Sequence, residues 1–183
     1  MKCPSCKTGT LKQAYLEELL PCNICDNCDG HWIQLEDYFR WKELKTANKN
    51  DATEINVDIV ALSDTKKALV CPVTGKLMLK YRISKESDHR LDLSPYANAV
   101  WLDKGEWLLL KQQGLANQIN RIFTDPWQKK IREAVSKETL EQLYREKLGE
   151  QDYEKVKEIN SWLSDHPHAD FIKAYIMTDR ANG

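Results

Sequence analysis

The sequence lacks any long run of apolar residues, and it lacks a charged start followed by an apolar stretch. A membrane-spanning helix needs about 20 consecutive apolar residues, and a secretory signal needs the second pattern. The sequence therefore predicts a cytoplasmic protein that does not enter a membrane. In that reducing compartment its 6 cysteines are expected to bind metal rather than to form disulfides.

An excess of charge of either sign is also missing. Lys and Arg number 27 against 28 Asp and Glu, which leaves a net charge of −1. Strong binding to a phosphate backbone uses clustered basic residues. The balance argues against strong nucleic-acid binding and leaves room only for a local basic patch.

Catalytic patterns are scarce as well. Histidine occurs four times, at His31, His89, His166 and His168. Only the last two are close in sequence, and a His-x-His pair by itself is weak evidence for a metal site. Asp103 and Glu106 form an acidic pair, but they lie at a predicted helix start, where capping and the helix dipole explain acidic side chains. We therefore expect no enzymatic activity and no small-molecule substrate.

What the sequence does contain is paired cysteines. Cys3 and Cys6 form one Cys-x-x-Cys pair, and Cys25 and Cys28 form another about twenty residues later. Two such pairs present four thiolates from tight turns, and a short β-hairpin between them can bring the turns around one ion. Four sulfur ligands favour zinc and leave no position for a substrate water. The pattern predicts a structural zinc site.

Cys22 leaves the ligand set open at this point, because Cys22 and Cys25 also form a Cys-x-x-Cys pair. Either overlapping pair could meet Cys3 and Cys6, and zinc chemistry alone does not choose between them.

The residues from Cys3 to Asp37 resemble the transcription-factor-IIB-type zinc finger, or zinc ribbon, of small bacterial proteins. That family runs Cys-Pro-x-Cys, a hairpin, and then Cys-x-x-Cys-x-Gly-x-Trp-Leu-Asp-x-Gly-Glu. Gly30 and Trp32 follow Cys28 at the family's distance, but the ending is replaced by Ile-Gln-Leu-Glu.

The resemblance implies that zinc is bound by Cys3, Cys6, Cys25 and Cys28. Cys22 then lies on the hairpin strand as a small buried apolar side chain. The resemblance also implies a nucleic-acid-binding, transcription-related protein as an alternative function.

The missing ending reappears downstream, as Val-Trp-Leu-Asp-Lys-Gly-Glu at residues 100–106. Aligning the two halves places Cys71 on Cys3 and Trp101 on Trp32, which indicates an internal repeat. In place of the other three cysteines the second half has Thr74, Ser94 and Ala97. One cysteine cannot hold structural zinc, so we expect a degenerate, metal-free ribbon. Its core is expected to contain Leu77, Leu79, Tyr81, Ile83, Leu91, Tyr96 and Trp101.

Together the patterns predict an α+β protein made of four segments. These are a zinc ribbon with a short helix at 1–45, a linker at 46–56, the degenerate ribbon at 57–106 and a helical region at 107–183. Balanced charge and many aromatic residues suit protein interfaces. We therefore expect a zinc-binding adaptor or regulatory protein with a protein partner. For the nucleic-acid alternative, the expected contacts are Tyr81 and the cations Lys80, Arg82, Lys85 and Arg90 on the second hairpin.

Overall fold

The structure is a computed structural model that describes residues 1–47 and 64–178. Its strands are β1 (Leu11–Glu17), β2 (Leu20–Cys25), β3 (His31–Gln34), β4 (Leu79–Arg82), β5 (Arg90–Ser94) and β6 (Ala99–Leu102). Its helices are α1 (Leu35–Ala47), α2 (Glu106–Gln112), α3 (Ile119–Ile122), α4 (Asp125–Leu148), α5 (Glu150–Ser164) and α6 (Ala169–Thr178), with a 3₁₀ turn at Ala116–Gln118. The antiparallel sheet and the separate helices confirm the predicted α+β class.

The strands form one antiparallel sheet in the order β1-β2-β3-β6-β5-β4. Each half of the sheet is therefore a three-stranded meander, and the halves join where β3 pairs with β6. In that pairing Trp32 lies opposite Trp101, and both side chains are fully buried. Because the halves share backbone hydrogen bonds and buried side chains, the zinc-binding end folds as part of the larger sheet unit.

Helix α1 begins at the end of β3 and packs one face onto the sheet. Tyr38 and Trp41 lie three residues apart on that face and are almost completely buried, as expected for neighbours on a helix. The hydroxyl of Tyr38 donates to the carbonyl of Ala116 at 2.9 Å and accepts from the amide of Ile119 at 3.2 Å. These two hydrogen bonds connect α1 to the chain segment that precedes and starts α3.

The described residues of the sheet unit form two apolar clusters. The larger one joins side chains of both sheet halves to those of α1, α2 and α3, and it includes Ile33, Val100 and Leu110. The smaller one surrounds the cysteine turns and includes Cys3, Cys25, Leu69, Cys71, Met78 and the two facing tryptophans. Burial of both clusters, at about 25 cal/mol per Å² of apolar surface, stabilises the sheet.

The predicted core of the second half is only partly correct. Ile83, Leu91 and Trp101 are fully buried. The prediction is wrong for Leu77, Leu79 and Tyr96, because these side chains are 64%, 48% and 67% exposed. The prediction assumed that alternation along the strand marks one core. In the structure Leu77 and Leu79 share one face with Ile83 but remain exposed, whereas Met78 on the opposite face is buried in the smaller apolar cluster. Each face is therefore covered along only part of its length.

The described chain divides into two compact units, residues 1–132 and 133–183. The first holds the sheet, α1 to α3 and the start of α4; the second holds the rest of α4 with α5 and α6. Gly149, with φ of 76°, separates α4 from α5. Trp107, Leu110 and Ile119 belong to the predicted helical segment, residues 107–183. In the structure their side chains pack in the core of the sheet unit.

The four predicted segments stay a prediction about domain organisation. Helix α1 runs to Ala47, and most of the predicted linker, residues 48–56, lies outside the described residues, as do residues 57–63 of the predicted second ribbon. Among the described helices none combines the length and the apolar character that crossing a membrane requires.

Candidate metal centre

Two tight turns carry the four predicted ligands. In the first turn the amide of Cys3 donates to the carbonyl of Gly9 at 2.9 Å. In the second turn the amide of Cys25 donates to the carbonyl of Gly30, also at 2.9 Å. Because β1 and β2 pair with Leu11 opposite Cys25, the hairpin brings the two turns side by side.

The four sulfur atoms of Cys3, Cys6, Cys25 and Cys28 all lie within 4.8 Å of one another. The sulfurs of Cys3 and Cys28 are 3.6 Å apart, and those of Cys6 and Cys25 are 3.7 Å apart. A tetrahedral zinc ion with bonds of about 2.3 Å has sulfur–sulfur edges of about 3.8 Å. The cluster therefore fits zinc, and the four cysteines form a potential zinc site.

Backbone amides point at these sulfurs. The amide of Cys6 donates to the sulfur of Cys3 at 3.4 Å, that of Gly9 to Cys6 at 3.3 Å, and that of Asn27 to Cys25 at 3.5 Å. Such hydrogen bonds stabilise thiolates and orient them toward a metal.

Packing shifts the pKa values of Cys3, Cys6 and Cys28 in different directions. Burial raises the pKa of Cys3 to about 11 and also raises that of Cys28. Burial acts in the same direction on Cys6, but hydrogen bonds from Asn27, Thr8 and Gly9 outweigh it and lower its pKa to about 5. Since like charges in contact repel, a divalent cation is what allows all four groups to be thiolates together.

Two glycines are needed for this packing, and the sequence reasoning did not single out their role. A Cβ on Gly9 would lie 2.3 Å from the sulfur of Cys25, and one on Gly30 would lie 2.2 Å from the ring of Trp101. Neither contact is visible in the spacing of the glycines, because each partner is brought in by the fold.

The structure separates Cys22 and His31 from the sulfur cluster. Cys22 is 5% exposed and packs in the larger apolar cluster next to Leu20 and Ile33. Burial lowers the pKa of His31, which is typical of a packed neutral imidazole. Neither residue joins the four sulfurs in the described part of the chain.

The turn at Cys71 repeats the geometry of the first turn. The amide of Cys71 donates to the carbonyl of Lys76 at 2.8 Å, and the amide of Thr74 donates to the sulfur of Cys71 at 3.4 Å. Lys7 and Gly75, at matching places in the two turns, both have positive φ, 63° and 69°. Within the described residues Cys71 belongs to no group of metal-binding side chains. The reading of this half as a degenerate copy stays a prediction that these features support.

Comparison with known proteins adds one match. Residues 2–44 match the family model described as "Transcription factor zinc-finger". No curated protein and no solved structure matches the chain. The matched range contains both cysteine turns, the three strands of the first meander and most of α1. The N-terminal segment is therefore a zinc ribbon of the transcription-factor-IIB type with a four-cysteine site.

Proposed function

We propose that this protein is a non-enzymatic, zinc-binding adaptor or regulatory protein whose helical end binds a protein partner. Zinc bound by Cys3, Cys6, Cys25 and Cys28 stabilises the ribbon and takes no part in chemistry, because four sulfur ligands fill its coordination sphere. The observation that carries the proposal is the exposed apolar surface of α5 and α6.

Helix α6 presents this surface most clearly. Phe171 and Tyr175 are 80% and 65% exposed and lie four residues apart on one face, next to Ile176 at 50%. Single exposed apolar residues are ordinary, but several on one helical face are typical of a binding surface. An amphipathic helix of this kind binds in an apolar groove through residues spaced by three and four positions.

Helix α5 adds to the apolar surface of the same unit. Tyr153 and Leu163 are buried, whereas Ile159 and Trp162 are 52% and 56% exposed. Buried Trp side chains often contribute most of the binding energy at protein interfaces. An exposed Trp beside an exposed Ile therefore favours a protein partner for this unit.

The nucleic-acid alternative rests on the family description and on the cations of the second hairpin. Two of those cations are engaged within the chain: Lys80 pairs with Asp92 at 2.8 Å, and Arg82 donates to the carbonyls of Ser84 and Ser87 at 3.0 and 2.8 Å. Stacking of bases needs a free aromatic face.

Tyr81 does not offer such a face readily, because its half-buried ring packs edge-on against Phe123 with centroids 5.2 Å apart. The contacts of this hairpin thus support a protein partner over nucleic acid.

The test compares Phe171→Glu with Lys173→Glu, since both place a carboxylate at an exposed position of α6. The tagged full-length protein is purified from its native cell with and without nuclease treatment. We expect a partner protein that survives nuclease, is recovered with Lys173→Glu and is lost with Phe171→Glu.

Recovery that depends on intact nucleic acid would contradict the proposal and favour the alternative. Equal recovery with both variants would exclude α6 as the binding surface. Light scattering of the purified chain distinguishes self-association from binding of another protein. If the chain forms a dimer that Phe171→Glu disrupts, the partner of α6 is a second copy of this chain.

A further inference from the structure

A second group of side chains with metal-binding atoms lies in the other half of the sheet unit. Asp64, His89 and Glu106 each contribute one potential ligand atom, and these atoms lie within 4.8 Å of one another. Asp64 opens the second described segment, His89 precedes β5 and Glu106 is the first residue of α2. The three residues thus come from separate parts of the chain.

Each of these three residues has one polar atom for which the described residues supply no hydrogen-bond partner. These atoms are Oδ1 of Asp64, Nδ1 of His89 and Oε1 of Glu106, and all three are buried. Glu106 is 1% exposed, and its other oxygen, Oε2, accepts from the amide of Asp103 at 2.8 Å. Buried polar atoms are normally paired, so three convergent unpaired ones indicate a missing ligand.

The geometry allows an ion to be that ligand. Nδ1 of His89 lies 3.6 Å from Oε1 of Glu106, too far for a good hydrogen bond. Two ligands of a tetrahedral ion at about 2.1 Å are about 3.4 Å apart. A shift of a few tenths of an ångström would therefore place both atoms in one coordination sphere.

The surrounding charge favours a cation over a water molecule. Asp92 and Asp103 are 1% and 3% exposed, and both interact electrostatically with the side chains of this group. Lys80 pairs with Asp92 at 2.8 Å, which leaves the other carboxylates without a lysine or arginine partner among the contacts of the described residues. A buried carboxylate is stabilised by a nearby cation or by protonation. Burial raises the pKa of Glu106 to about 7, and contact with Glu106 raises the pKa of His89. A protonated His89 can compensate one carboxylate, and a divalent ion would compensate two.

The chain holds the three groups in place. The amide of Thr65 donates to Oδ2 of Asp103 at 2.6 Å, and the carbonyl of Thr65 accepts from Lys80 at 2.5 Å. These bonds fix the backbone next to Asp64. The amide of Ile83 donates to the carbonyl of His89 at 3.1 Å. A site held by backbone contacts of this kind is preorganised for an ion.

We propose that Asp64, His89 and Glu106 bind a divalent first-row transition-metal ion, separate from the zinc of the four cysteines. Two carboxylates and a neutral imidazole balance the charge of such an ion, and imidazole with carboxylate suits zinc, manganese or iron. The ion connects the start of the second described segment to β5 and α2, so its role is structural. It does not depend on the proposed partner.

The test uses the full-length protein with its cysteine site filled with zinc. Mn²⁺ is added and the bound fraction is measured by electron paramagnetic resonance, and a parallel titration with Zn²⁺ counts total metal. Thiolates prefer zinc, so Mn²⁺ does not compete at the cysteines. We expect one ion of either metal beyond the cysteine-bound zinc, with a rise in melting temperature on its addition.

The variants Asp64→Asn and Glu106→Gln each remove one ligand and should weaken binding at least about tenfold. Asp64 is only half-buried, and Gln at position 106 can still accept from Asp103, so both variants are expected to fold and to retain the cysteine-bound zinc. Asp88→Asn is the control, because its exposed carboxylate adjoins His89 and pairs with Arg82 at 2.9 Å.

Three outcomes would overturn the proposal. The first outcome is that neither metal, at millimolar concentration, binds in addition to the cysteine-bound zinc. That result would assign the group to water or to a shared proton. The second outcome is that the added metal binds, but Asp64→Asn and Glu106→Gln do not weaken its binding. The third outcome is that Asp88→Asn weakens metal binding as much as the two ligand variants do. That result would show only general attraction of the metal to surface charge.

Discussion

Replacement of Gly30 by alanine tests the junction between the two halves of the sheet. A Cβ at this position would lie 2.2 Å from Cζ2 and 2.6 Å from Cη2 of Trp101. The ring cannot move away freely, because Trp101 is fully buried and its Nε1 donates to Oδ1 of Asp103 at 2.8 Å. The backbone must therefore shift to accommodate the methyl group.

Overpacking of this severity costs about 3 kcal/mol of unfolding free energy. For a chain of this size, each kcal/mol lowers the melting temperature by about 2–4 °C, so we expect a fall of roughly 6–12 °C. Gly75→Ala is the control. Its Cβ would meet no atom of the described segments within 4 Å, but its φ of +69° is unfavourable for alanine, and this strain costs about 1–2 kcal/mol.

A double-mutant cycle with Trp101→Phe identifies the cause. Phenylalanine lacks the distal ring that Gly30 contacts, so in that background Gly30→Ala should cost less than about 1 kcal/mol. Urea unfolding of the four proteins, followed by circular dichroism at constant metal, measures the coupling. An equal cost of Gly30→Ala with and without the indole ring would refute this account of the junction.

Three further predictions concern the metal, the sheet and acid stability. Cys22→Ser should keep the cysteine-bound zinc and Cys28→Ser should lose it, as measured by zinc released on reaction of the thiols with a mercurial; the reverse result would move the site to the upstream pair. Chelation should raise hydrogen exchange in the turn at residues 25–30 but much less at Ile33, whose strand pairs with β6, and a uniform rise would contradict the shared sheet. Burial acts to raise the pKa of Glu17, but hydrogen bonds from two lysines and a tryptophan outweigh it, so its pKa is below the ordinary 4.5. Glu17→Gln should therefore lower the free energy of unfolding by about 1–3 kcal/mol above about pH 4.5. This loss should disappear as the pH falls through the folded-state pKa of Glu17. Denaturant titrations of both proteins from pH 7 to about 3 measure the difference, and a constant difference would contradict the prediction.

The sequence by itself determined the zinc ribbon, since its evidence is local. The Cys-x-x-Cys spacing and the Gly and Trp after the second pair are readable without the fold, and the structure gathers the same four sulfurs. Two helix ends also carry a local sequence signal: Pro126 lies in the first turn of α4, and Gly149 with positive φ follows its last turn. Capping and turn preferences act over a few residues.

Only the tertiary structure decided which faces are buried in the second half. Leu77 and Leu79 follow the alternation of a core strand, yet they are exposed, and Met78 is buried. Burial depends on what covers each face, and that depends on β3 pairing with β6. Strand pairing between distant segments is not encoded in a local period.

The tertiary structure also decided what Glu106 does. Its place at a helix start predicts a capping role for Glu106, and its Oε2 does accept from the amide of Asp103. Its second oxygen faces Asp64 and His89, which lie 42 and 17 positions earlier in the sequence. No spacing rule links side chains so far apart. They come together because the sheet and the start of α2 bring three chain segments to one place, and buried unpaired atoms are visible only once that packing exists.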